Sequence, residues 1–110
     1  MELQITEEQL AVLGLVLVLR GRLDAVTAPQ LKSKLKGLVA DGHNQLIVDL
    51  TEVPFIDSSG LSALVSGLRA AREAGGTLKL VGLNEQTRTA FRLTQLDRVF
   101  EIFPDRDSLQ

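Results

Sequence analysis

The stretch Leu46-Ile47-Val48-Asp49-Leu50-Thr51-Glu52-Val53-Pro54-Phe55-Ile56-Asp57-Ser58-Ser59-Gly60-Leu61 carries the two signals that set the fold. Residues 46–50 are apolar except for Asp49, β-branched in the middle and bounded by polar residues, the pattern of a short buried strand. The end of the stretch opens a helix predicted from about Ser59, with Leu61, Leu64, Val65, Leu68 and Arg72 on one stripe. Arg72 belongs to that stripe because its aliphatic stem packs while its guanidinium reaches water. Gly75-Gly76 stops the helix, and Thr77 to Val81 gives the next strand. A strand, a helix and a second strand joined this closely require parallel pairing with a right-handed crossover.

The same alternation extends in both directions. Upstream, Leu15-Val16-Leu17-Val18-Leu19 is apolar on both faces and reads as a central strand ending at Arg20-Gly21. Before it, Leu3 and Ile5 alternate with polar residues as a short edge strand. A tight turn near Glu8 and Gln9 would make this strand antiparallel to its successor. Thr27-Ala28-Pro29-Gln30 then reads as a helix start, with Thr27 as N-cap, an early proline and Gln30 completing a capping box. Leu31, Leu35, Leu38 and Val39 form its stripe, Lys32, Lys34 and Lys36 lie off it, and Asp41-Gly42 ends it. Downstream, Asn84 caps a third helix carrying Ala90, Phe91 and Leu93. A last strand falls near Val99 to Phe103, and Pro104-Asp105 starts a C-terminal turn or helix. The predicted order is β-β-α-β-α-β-α-β, an α/β chain with a mixed, mostly parallel sheet and helices packed on it.

Composition narrows the chemistry. The chain has 110 residues, 45% of them apolar, enough for one domain over residues 1–110 and too short for two. It has no cysteine and one histidine, His43, which removes disulfides, zinc–thiolate sites and thiol nucleophiles and leaves little for acid–base catalysis. Twelve basic residues against fourteen acidic ones give a net charge of −2, with no excess to hold a phosphate backbone, so nucleic acid is not an expected partner. The apolar run from Leu10 to Leu19 is half of the ~20 residues a membrane helix needs, and no secretory leader is evident. A soluble cytoplasmic protein without direct membrane insertion is expected. No P-loop or G-x-G-x-x-G motif occurs, and no cofactor is expected.

Candidate chemistry concentrates at Asp57-Ser58-Ser59-Gly60, between a buried strand and a helix, where α/β folds place their sites. The simpler reading of Ser58 or Ser59 is a helix cap, worth about 0.5–2 kcal/mol over alanine. Gly60 in the first turn costs up to about 1 kcal/mol against alanine, so either a tight turn or a close-approaching partner favours bare backbone there. The functional reading is a modifiable hydroxyl. A phosphate at a helix start meets unpaired N–H groups and the positive end of the dipole, and adds a charge of about −1.5 to −2 beside Asp57. A serine nucleophile would need a base within reach, but His43 lies in a turn at the opposite end of its strand, and no G-x-S-x-G elbow exists. Asp24 and Asp57, both near strand C-termini, are a carboxylate pair of the kind that binds magnesium, but without a third ligand; capping or loop solvation is the simpler reading, and no metal is expected. Along the second helix, Ser62, Ala63, Ser66, Gly67, Ala70 and Ala71 make a smooth small-residue surface, suited either to a partner or to a neighbouring helix.

The combination of Gly21-Arg22-Leu23-Asp24 with Thr27-Ala28-Pro29, Ile47-Val48-Asp49-Leu50, Phe55-Ile56-Asp57-Ser58-Ser59-Gly60-Leu61 and Leu93-Thr94-Gln95-Leu96-Asp97-Arg98-Val99-Phe100 resembles the STAS domain of bacterial anti-sigma-factor antagonists. The pieces span nearly the whole chain in the right order. The resemblance implies the STAS fold, a mixed, mostly parallel sheet of four to five strands with helices on it. It implies a non-enzymatic protein, monomeric or weakly dimeric, that sequesters an ATP-using anti-sigma serine kinase and so frees a sigma factor. The kinase of such a pair phosphorylates the serine directly after the motif aspartate, here Ser58, which releases the complex, and a PP2C-type phosphatase reverses it. Asp24 and Asp57 would then flank the acceptor, Ser59 and Gly60 shape the loop, and Ser62, Ala63, Ser66 and Gly67 lie on the partner face. Ser62 departs from the family, which often has a second glycine there; a bulkier residue restricts partner approach or supplies a second hydroxyl. The same domain type also occurs in stressosomes and in lipid-transport ABC complexes, which implies a constitutive scaffold with Ser58 as a mere cap as the alternative.

Overall fold

A computed structural model describes residues 3–10 and 13–109. In chain order it contains β1 (Gln4–Leu10), β2 (Gly14–Arg20), α1 (Ala28–Ala40), β3 (Gln45–Glu52), α2 (Ser58–Glu73), β4 (Thr77–Val81), α3 (Glu85–Leu93) and β5 (Glu101–Phe103). Short 3-10 turns cover Leu96–Arg98 and Arg106–Leu109. The strands form one five-stranded sheet in the order β1-β2-β3-β4-β5. β1 is antiparallel to β2 and every later pair is parallel, as the apolar patterning predicts.

Each parallel strand adds beside its predecessor in the same direction, so right-handed crossovers place α1, α2 and α3 on one face. The core is divided accordingly. On the helical side Leu17, Leu19, Val48, Leu50 and Leu80 pack with Leu31, Leu35, Leu64, Leu68 and Phe91. Phe91 meets Phe100 edge-on, ring centres 5.6 Å apart, and anchors α3. The other sheet face holds a smaller cluster of Val16, Val18, Ile47 and Val81 beneath Leu109. Asp49 also lies on that side, only 8% exposed. Its carboxylate accepts from the Thr51 amide (3.0 Å) and hydroxyl (2.6 Å) and from Arg106 Nε (3.3 Å), while Arg106 Nη1 binds Glu8 Oε2 at 2.6 Å. These charge-assisted contacts satisfy a carboxylate that the sheet would otherwise strand.

Four details of these elements differ from the pattern-based expectation. β1 runs on to Leu10, so Glu8 and Gln9 are strand residues pairing with Val16 and Leu15 rather than a turn. Part of the connection, residues 11 and 12, lies outside the described residues. β5 starts at Glu101, because the 3-10 turn takes Leu96–Arg98 and leaves Val99 40% exposed. Leu93, expected on the α3 stripe, is 77% exposed.

The fourth difference is at the start of α1. Thr27 has helical backbone angles and makes no side-chain cap. Its hydroxyl instead donates to the Arg22 carbonyl (2.8 Å) and accepts from the Asp24 amide (3.0 Å), folding the β2–α1 loop on itself. Gln30 does not close a capping box either; its amide donates to the Leu3 carbonyl at 2.8 Å and ties α1 to the start of the chain. Asp24 Oδ1 accepts from the amides of Val26 (3.0 Å) and Thr27 (3.2 Å). The Thr27 amide is foremost in holding the Asp24 carboxyl below its usual pKa, with help from Val26, the Thr27 hydroxyl and Arg22.

Past the end of their regular ladder β2 and β3 remain paired, with the register shifting between Val18 and Arg20. Leu23 pairs in parallel with Ile56, the Leu23 amide donating to the Phe55 carbonyl (3.0 Å) and the Asp57 amide to the Leu23 carbonyl (3.1 Å). This clamp explains Gly60. A Cβ there would lie 2.6 Å from the Leu23 carbonyl oxygen and 2.8 Å from Ile56, so bare backbone is required by the chain's own loop. Gly67 faces α1, where a Cβ would meet a Leu35 methyl at 2.5 Å. Alanine gains about 1 kcal/mol of helix propensity over glycine, while overpacking costs about 1–3 kcal/mol. A leucine methyl can yield and a paired carbonyl cannot. Urea unfolding is therefore expected to show Gly60→Ala destabilised by about 1–2 kcal/mol and Gly67→Ala by less. Asp24→Asn gives a second check. A lowered folded pKa stabilises above the unfolded value of about 4 and is lost as pH falls through the folded one. The wild type should exceed Asp24→Asn in stability at neutral pH, with the gap closing below about pH 4 in acid-unfolding curves.

Candidate functional site

Extended backbone at Asp57 (φ −115°, ψ −173°) turns the chain from the clamp into α2 and aims its carboxylate back at the first turn. Oδ1 accepts from the Ser59 amide at 2.9 Å and the Gly60 amide at 3.1 Å. Asp57 is therefore the cap, not Ser58 or Ser59, and the helix starts one residue earlier than the sequence suggests. Ser58 is the first helical residue and is exposed. Among the described residues its hydroxyl has no hydrogen-bond partner. The same geometry revises the electrostatics: two of the first-turn N–H groups expected to be open to a phosphate are already satisfied by Asp57.

A groove runs between the start of α1 and the start of α2, lined by Ala25, Ala28, Pro29 and Lys32 on one side and Ser58, Ser59, Ser62 and Ala63 on the other. The structure thus brings four of the expected site residues to one surface. Asp24, Asp57 and Gly60 shape the two clamped loops behind it, their carboxylates engaged by their own backbone. The small-residue face of α2 resolves into two parts. Ala63 (3% exposed), Gly67 and Ala71 are buried, which favours helix packing for them, although Ala63 also borders the groove while Gly67 does not. Ser62 is exposed, and Ser66 and Ala70 are half-buried.

Several contributors are invisible to periodicity. Arg22 lies 4.3 Å over the Phe55 ring and 3.6 Å from Asp24, bracing one loop against the other. Gln86, from the first turn of α3, accepts from the Ile56 amide (3.3 Å) and donates to the Ile56 carbonyl (3.4 Å). Lys32, which sequence places merely off the α1 stripe, faces the groove. Val26 stands 80% exposed in the loop beside it, an apolar residue with no strand or helix to bury it, which is a signal the sequence did offer. His43 is exposed in the turn that leads into β3, at the opposite sheet edge from Ser58. Among the described residues no helix is long and apolar enough to cross a membrane.

Known proteins resemble this chain in sequence and fold. The STAS domain family matches residues 2–109. The anti-sigma-B factor antagonist of Listeria monocytogenes is 35% identical over 82 residues, covering 74% of this chain and 72% of the relative. The crystal structure of an anti-sigma factor antagonist from Mycobacterium paratuberculosis has 30% identity and a TM-score of 0.86 over 97% of this chain and 90% of that one. The Bacillus cell fate determinant SpoIIAA in its phosphorylated form shares the fold, with a TM-score of 0.73 at 20% identity over 96% of both chains. The chain belongs to the STAS-domain family of anti-sigma factor antagonists.

Proposed function

We propose that this protein is a phosphorylation-switched antagonist that binds an ATP-using anti-sigma serine kinase, frees the sigma factor, and is released when Ser58 is phosphorylated. The observation that carries the reading is the division of roles at the start of α2. Asp57 performs the capping, which leaves the Ser58 hydroxyl exposed and unengaged at the rim of a groove. In the transfer, Ser58 Oγ bonds to the γ-phosphorus of the partner's ATP, the bond to ADP breaks, and the hydroxyl proton passes to a base of the kinase. This chain contributes the acceptor and its rigid presentation; nucleotide and catalytic groups come with the partner. A PP2C-type phosphatase resets the switch. The setting is the bacterial cytoplasm, where the transcription machinery works.

A phosphate beside Asp57 makes the docking surface strongly anionic, and a partner surface built for a neutral serine is repelled by it. Incubation with the cognate kinase and ATP should place one phosphate on Ser58 by mass spectrometry; an active kinase that leaves Ser58 unmodified would refute the assignment. Ser58→Ala should bind the kinase like the wild type and resist release by ATP. Ser58→Asp should bind at least about tenfold more weakly in calorimetry, since a like charge in an interface costs several kcal/mol. Equal affinities of the two variants would exclude a charge-based switch.

A further inference from the structure

We propose that Lys32 is the internal counter-ion of phosphorylated Ser58, so that modification bridges α1 and α2 and closes the groove between them. The inference rests on Ser58 being the phosphate acceptor. Lys32 and Ser58 line the same groove from different helices, and three of the other lining residues, Ala25, Ala28 and Ala63, are small. The charged groups about the site are Asp57 on its own loop, Asp24 and Arg22 on the clamped β2–α1 loop, and Lys32 on α1. Arg22 is engaged with Asp24 and the Phe55 ring. Lys34, two residues from Lys32, is paired with Glu7. Lys32 is exposed, and among the described residues no carboxylate pairs with it.

A counter-ion is needed because the usual backbone donors are taken. The Ser59 and Gly60 amides already serve Asp57, whose own charge opposes that of a neighbouring phosphate. A phosphoserine carries about −1.5 to −2 charges and three acceptor oxygens. A flexible ammonium with three donors across the groove answers that demand, and the hydroxyls of Ser59 and Ser62 on the same wall can donate to the remaining oxygens. The phosphate then occupies the groove as well as charging its rim, so a partner segment seated there in the unmodified state is displaced by volume and by charge together.

The test uses the full chain with phosphoserine installed at position 58 during translation, titrated by phosphorus NMR. The second ionisation of the phosphate is expected to rise by about half a unit in Lys32→Gln relative to the wild type, as the loss of a neighbouring cation requires. Lys36→Gln, one turn further along α1 and outside the groove, should leave it in place. High salt should shrink the difference between wild type and Lys32→Gln. Identical titrations of wild type and Lys32→Gln, or an equal shift in Lys36→Gln, would overturn the proposal. Because the phosphate is installed without the kinase, a kinase that ignores Ser58 would refute the functional reading while leaving this measurement intact.

Discussion

The pairing of Leu23 with Ile56 is the constraint on which the site depends. Two backbone hydrogen bonds renew the parallel pairing of the two segments beyond the ladder, in a shifted register, where their loops begin. The two loops that present the site are set by that continuation. It brings the Leu23 carbonyl against the first turn of α2, which excludes a side chain at position 60. It fixes the direction in which the Asp57 carboxylate points and sets the loop holding Asp24 beside the one holding Ser58. Gln86 grips both polar groups of the Ile56 backbone from α3, so the third helix reinforces the same joint. A loop held this firmly presents a hydroxyl in a defined place before any partner arrives, which limits the ordering cost of recognition.

The fold was legible from sequence because its elements are defined by local apolar period. Residues 15–19 are apolar on both faces, as are 46–50 apart from Asp49, and such strands lie in the middle of a covered sheet. The stripe of α2 needed no tertiary information. What sequence could not resolve is competition among polar groups for the same donors. Thr27, Ser58 and Asp57 are all good N-cap residues, and propensity alone cannot say which is used. At Thr27 the neighbouring Arg22 carbonyl captures the hydroxyl, and at Ser58 the preceding carboxylate reaches the amides first. Lys32 shows a different limit: its place opposite Ser58 is a fact about two helices, and no single stripe encodes it. The small residues of α2 divided for the same reason, since only the position of α1 decides that Gly67 is packed and Ser62 is open.

The family relationship and the geometry support each other on separate grounds. Membership rests on matched sequence across most of the chain, and the site geometry on hydrogen bonds that similarity does not report. A chain with no cysteine and one remote histidine presents little catalytic chemistry of its own. Its accessible asset is an unengaged alcohol on a rigid ledge, which suits a substrate and binding partner. The helices lie on one side of the sheet, and the Arg106 network covers the other, so the ledge and the reverse face are structurally separate surfaces.

The transfer of capping from Ser58 to Asp57 has a consequence for how long a signal lasts. A serine that held its own helix together would lose that contact when esterified, and the modified form would be the frailer one, cleared first by proteases. Here the alcohol carries no structural duty, so under the proposed switch its modification breaks no contact that holds the helix. Information written on Ser58 is then not lost through a weakened fold, and hydrolysis of the phosphate becomes the step that erases it.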